Sequence, residues 1–311
     1  VVPTHRRSAP ALRISASIAA VLLLLPTASA AQRRQTGLAY QLTYTQKYDP
    51  SPSPDGKRLV YITQLDSREQ LFTMNVDGSD ARQLTRDDAD HEDPAWSPDG
   101  RQIAFVYMKD GGEVIAIMNA DGTGFRQLTP STVKTIHPEW SPDGSKLIYC
   151  TDDDLAPPRK NDADIMVLDV ATGQITTLIA GGVNTYPSWS PDGTHLAFRK
   201  MVDVINSEVW VADGDGRNAR NITNHPAFDG WPAWSPDGSQ IAFASNRNSS
   251  YQIFMMKADG SEVRLLANTE GRATAPKWSR DGARIYFPIC RNVDFGSECE
   301  IFAVRTDGFV R

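Results

Sequence analysis

One short block recurs six times along the chain, and its spacing restricts the fold more than any other feature. It reads SPSPDG at 51–56, AWSPDG at 95–100, EWSPDG at 139–144, SWSPDG at 188–193, AWSPDG at 233–238 and KWSRDG at 277–282. The closing glycines, Gly56, Gly100, Gly144, Gly193, Gly238 and Gly282, are separated by 44, 44, 49, 45 and 44 residues. A period of about 40 to 50 residues holding several short strands marks a β-propeller, whose blades bury their faces only by stacking on each other. The expected architecture is all-β: six blades of four strands around one axis.

Each period carries four strand signals. A short Pro-x-Trp-Ser segment comes first, and an apolar run such as Ile103 to Tyr107 or Ile241 to Ser245 follows the turn. A second run, such as Ile115 to Asn119, leads through an Asp-Gly turn to a third, RQLT at 126–129. In Ser-Pro-Asp-Gly, proline presets φ, aspartate bonds the nearby backbone and glycine accepts positive φ, which predicts a tight turn between strands. Trp96, Trp140, Trp189, Trp234 and Trp278 read as core residues between blades, with Pro52 in their place in blade 1. The sixth period stops before its last strand, whereas Tyr40-Gln41-Leu42-Thr43 matches the RQLT units. The ring is therefore expected to close with residues 38–43 as the outer strand of blade 6.

The first thirty residues read differently. Arg6, Arg7 and Arg13 precede the mostly apolar run Ile14 to Leu25, and Ala28-Ser29-Ala30 supplies small residues for cleavage. That is the layout of a secretory signal peptide, giving a signal at 1–30, a propeller at 31–311 and a periplasmic or secreted product. Cleavage takes three arginines and no acid from a formal charge of −6, leaving −9. An acidic chain without a basic stripe does not suit nucleic acid, no later stretch is apolar enough to span a membrane, and a monomer is the default. In an oxidising compartment Cys290 and Cys299, at the ends of successive strands, can form a disulfide; the plainer alternative is three reduced core thiols, Cys150 included.

The repeats, for example SNRNSSYQIFMMKADGSEVRLLA at 245–267, resemble those of the TolB family of six-bladed propellers over residues 38–311. Similar repeats occur in tricorn-type and prolyl-oligopeptidase-type proteases and in oligogalacturonate lyases. The Tol-Pal members of the family carry an α/β domain ahead of the propeller, whereas residues 31–37 alone separate the expected cleavage site from the first strand here. What the resemblance implies is a propeller without that domain, holding a peptide or protein at its channel mouth in the cell envelope, with a Pal-like lipoprotein as the family's kind of partner.

The tight turns are expected on one face and the variable loops, where binding residues usually sit, on the other. There the residue before the inner-strand proline is Asp49, Asp93, His137, Tyr186, Trp231 and Ala275 in successive blades. These six are expected to ring the channel entrance, the first five as ligand contacts; the plainer reading is proline-bound loop residues in water. The acidic run Asp87 to Asp93, with Asp90, His91 and Asp93 as metal candidates, suits calcium or a solvated loop. No Gly-x-Ser-x-Gly elbow is present, so a non-enzymatic binding scaffold is expected. The alternatives are a metal-dependent lyase using His91, His137 and His225, and a regulatory partner of a separately encoded protease. The insertion at 152–162 is the longest variable loop.

Overall fold

The computed structural model describes residues 40–42, 47–152, 162–293 and 296–307. The expected signal peptide and all of the 152–162 insertion except its two ends lie outside the described residues. Six antiparallel sheets follow one another around an axis. The first is Lys47–Pro52, Arg58–Leu65, Arg68–Asn75 and Arg82–Gln83. Blades 2 to 5 repeat it with inner strands Asp90–Trp96, Lys134–Trp140, Asn184–Trp189 and Asp229–Trp234. In blade 6 the inner strand is split into Arg272–Ala273 and Lys277–Trp278, both paired with Arg284–Val293.

The ring closes through the N-terminal segment. Tyr40 and Gln41 pair with Ala303 and Phe302 of the strand Gly296–Arg305. The Leu42 N–H then donates to the Ile301 carbonyl at 2.8 Å. The N-terminal segment thus completes the outer edge of blade 6, so that the last sheet holds strands from both ends of the propeller.

The continuous apolar runs follow from burial on both faces of each blade. In blade 1, Leu59 and Tyr61 face blade 6 and pack with Tyr286, Ile301 and Ala303. Val60 and Ile62 point the other way, onto Ile103 and Phe105 of blade 2. The other four interfaces are filled in the same manner. Each fully buried side chain of this size stabilises by about 1.5–3 kcal/mol. Two of the tryptophans also bond the preceding blade, Trp140 Nε1 donating to the Ala95 carbonyl at 3.1 Å and Trp278 Nε1 to that of Ala233 at 2.9 Å. One edge of the row stays open, because all five tryptophans also line a cavity at the turn end of the axis.

Strands run further than the apolar pattern predicts. In blade 6 the hairpin extends to Val293 paired with Gly296, so Cys290 and Cys299 face each other directly across the ladder. They are joined by a disulfide, which fastens a paired hairpin instead of clamping a long loop. Cys150 is buried.

Candidate functional site

Proline does not open the inner strands; it interrupts them. The ladder of blade 3 passes from Ile136 to Glu139 and skips His137-Pro138, and blades 1, 2, 4 and 5 skip the equivalent dipeptides. Proline has no N–H to give the ladder, and the preceding residue leaves the β region altogether. Asp49, Asp93, His137, Tyr186, Trp231 and Ala275 have φ of 48°, 50°, 55°, 52°, 53° and 44°. For residues with a Cβ this left-handed conformation costs about 1–3 kcal/mol each. The bulge turns each of the six toward the axis: all are half-buried, and each following proline is buried. Together they line a cavity of about 270 Å³ at the channel mouth.

The mouth has an acidic side and an aromatic side. Asp49 and Asp93, on neighbouring blades, are both held above the usual carboxylate range, chiefly by burial, and for Asp49 also by the Asp93 charge. The His137 backbone N–H donates to Asp93 Oδ2 at 3.1 Å, and His137 Nε2 lies 3.8 Å from the same oxygen. Behind them, burial and a hydrogen bond that its protonated form donates to Glu69 push the Glu92 carboxyl up. Tyr48 donates its hydroxyl to Glu69 Oε1.

Across the mouth, the His137 ring packs at a tilt on Tyr186 with ring centres 3.8 Å apart, and Tyr186 lies 5.3 Å from Trp231. Phe228 and Tyr251 continue the arc at 5.6 Å from Trp231. The Arg199 guanidinium sits over the arc, 4.7 Å from the Tyr186 ring and 5.4 Å from Phe228. Burial pushes the Tyr186 hydroxyl up to about 12, so it stays a neutral donor.

One layer deeper, two residues after each mouth residue, stand Ser51, Ala95, Glu139, Ser188, Ala233 and Lys277. Only Glu139 and Lys277 are long, and they belong to blades 3 and 6, opposite one another in a ring of six. Lys277 Nζ reaches to 3.8 Å from Glu139 Oε2, while Glu139 Oε1 accepts the Trp189 N–H at 2.8 Å. Both residues line the mouth and also the cavity at the turn end. The pair therefore crosses the channel and forms the floor of the mouth. Reading the X-Pro position alone missed it; the signal was the residue before each tryptophan, and before Pro52 in blade 1, small in four blades and charged in two that lie three blades apart.

The metal candidates do not converge. Asp90 pairs with Arg68 at 2.9 Å and accepts the Glu69 N–H. His91 lies within the inner strand rather than in a loop, 1 % exposed, against Phe105 and Tyr107. Asp93 alone of the three faces the mouth. His137 faces the mouth beside Asp93, but His225 is not among the residues that line it: its backbone N–H donates to Glu208 and its Nδ1 accepts from the Ala227 N–H. Among the described residues no set of three or more His, Cys, Asp or Glu residues is placed to hold a metal ion.

A six-bladed propeller with a funnel at one end of its axis is the class that fold and site define. The family model described as the TolB beta propeller domain matches residues 32–157 and 114–303. The chain belongs to that family. Among solved structures it is similar to TolB from Acinetobacter baumannii, with 21 % identity and a TM-score of 0.64 over 76 % of this chain and 57 % of that one. The putative TolB from Agrobacterium tumefaciens matches at 22 % identity and TM-score 0.64, covering 85 % of this chain and 95 % of that one. An oligogalacturonate lyase in complex with manganese matches at 16 % identity and TM-score 0.60, covering 87 % and 98 %. At these identities the likeness shows the fold. No curated protein matches the sequence.

Proposed function

We propose that the protein is a non-enzymatic binding module of the cell envelope that takes a segment of a partner protein or peptide into the mouth ringed by Asp49, Asp93, His137, Tyr186 and Trp231. One observation carries the reading: six non-glycine residues at the same repeat position hold a left-handed backbone around one cavity. Strain repeated at one place around a cavity is a mark of sites that present side chains. Aromatic groups at the centre of such a surface dominate interface energetics. The signal-like residues 1–30 support an exported chain, and no helix among the described residues is long and apolar enough to cross a membrane. The likeness to TolB supports a partner in the envelope, a Pal-like lipoprotein being one of that kind.

Capture from an envelope extract tests this. The chain from residue 31 is compared with the Asp93→Ala, His137→Ala, Trp231→Ala triple variant and with Phe125→Ala, which alters an exposed side chain outside the mouth lining. A partner held by the parent and by Phe125→Ala, and lost by the folded triple variant, supports the mouth. A partner indifferent to the triple change sinks the assignment.

A further inference from the structure

The floor of the mouth has an unusual charge balance. Three carboxylates, Asp49, Asp93 and Glu139, face the cavity, and Lys277 is the one lysine or arginine among its described lining residues. Its ammonium acts on all three, drawing each back toward ionisation against burial. Its hold is loose, however: Lys277 is 41 % exposed and its nearest carboxylate oxygen is 3.8 Å away, beyond good hydrogen-bonding distance. The four other positions of that layer are serine or alanine, which leaves space beside the pair for an incoming group.

We propose that Lys277 is a built-in counter-cation occupying the place of a ligand's own cation, and that the mouth selects a partner segment bearing a guanidinium or ammonium group, which displaces Lys277 from Glu139 and the two aspartates. This rests on the mouth being the binding site. The aromatic arc from His137 to Trp231 then covers the flat or aliphatic part of the same segment, where cation–π attraction adds to the charge. The ammonium of Lys277, on a flexible four-carbon stem, swings toward either open end of the channel without unpairing a buried group.

The test is a titration, at low ionic strength and mildly alkaline pH, with two blocked tripeptides, Ala-Arg-Ala and its citrulline counterpart, which differ only in the guanidinium charge. Lys277→Met is expected to bind the arginine peptide roughly three- to tenfold more tightly than the parent. Lys277→Arg should restore the parent affinity, and Glu139→Gln should weaken binding. Neither the parent nor Lys277→Met should bind the citrulline peptide comparably. Melting curves identify any variant that has lost its fold, and Lys277→Gln replaces Lys277→Met if that one has. Equal or weaker binding after the charge is removed, equal binding of the citrulline peptide, or no binding to any form overturns the proposal. Partner capture that still depends on Asp93, His137 and Trp231 in that event leaves the mouth assignment standing; capture indifferent to those residues, with the Lys277→Met gain present, removes the partner reading and keeps the charge selection.

Discussion

The two ends of the propeller axis are made from the same six repeats and obey opposite chemistry. At the turn end, Ser53, Ser97, Ser141, Ser190, Ser235 and Ser279 each donate a hydroxyl to the aspartate two residues on, at 2.6–2.7 Å. Those hydrogen bonds, with backbone N–H donors, pull every one of the aspartates below the usual carboxylate range. The glycines take the positive φ, from 69° to 72°. At the mouth, positive φ falls on aspartate, histidine, tyrosine, tryptophan and alanine, and the carboxyls are pushed up. In the Ser-Pro-Asp-Gly turns sequence and geometry agree; the mouth concentrates, at one repeat position, strain and raised carboxyls that those turns do not carry.

The largest expected effect separates two kinds of acid at the mouth end. Asp229 is fully buried and accepts from Arg247 Nη2 at 2.8 Å. Asp229→Ala leaves that guanidinium unpaired and should cost about 3–5 kcal/mol in urea denaturation, whereas Asp49→Asn should cost nothing. Next comes Gly100→Ala at the turn end, where a Cβ would lie 3.2 Å from Pro54 Cγ at φ +72; a loss of about 1–2 kcal/mol is expected. Its mirror is Ala275→Gly at the mouth, which relieves φ of 44° and should gain about 0.5–1 kcal/mol. An Ala275→Gly variant that is less stable than the parent would show that the left-handed ring is not strained.

The smallest effect is in the pH profile. Raised mouth carboxyls favour the fold below the ordinary carboxylate range, and that contribution is lost as pH rises through their raised values. Lowered turn aspartates do the reverse, contributing above the ordinary range and failing as pH falls through their lowered values. Melting temperature should therefore decline on the alkaline side through the mouth acids and on the acid side through the turns. Asp99→Asn should change only the acid limb.

Repeat spacing made the blade count, the closing strand and the ring of X-Pro residues legible, because each depends on a pattern that recurs in register. Strand ends were not legible: polar residues such as Arg291 and Glu298 extend the blade 6 hairpin by pairing with each other, which periodicity of apolar residues cannot show. His91 looked like part of an acidic loop, yet its ring fills a gap between Phe105 and Tyr107. Glu139 and Lys277 meet only because blades 3 and 6 are opposed, whereas Arg199 meets Tyr186 on the paired strand of its own blade and Phe228 at the entry to the next. The first pair is a product of closure, separated in sequence by whole repeats.

On the proposed function, the mouth is kept for binding at the expense of stability. The most direct test is the melting temperature of the Asp49→Asn, Asp93→Asn double variant at mildly alkaline pH. The charge repulsion and burial described above predict a rise of roughly 2–4 °C over the parent, with partner capture lost. A fall in melting temperature with capture intact would contradict it, and would make these residues structural.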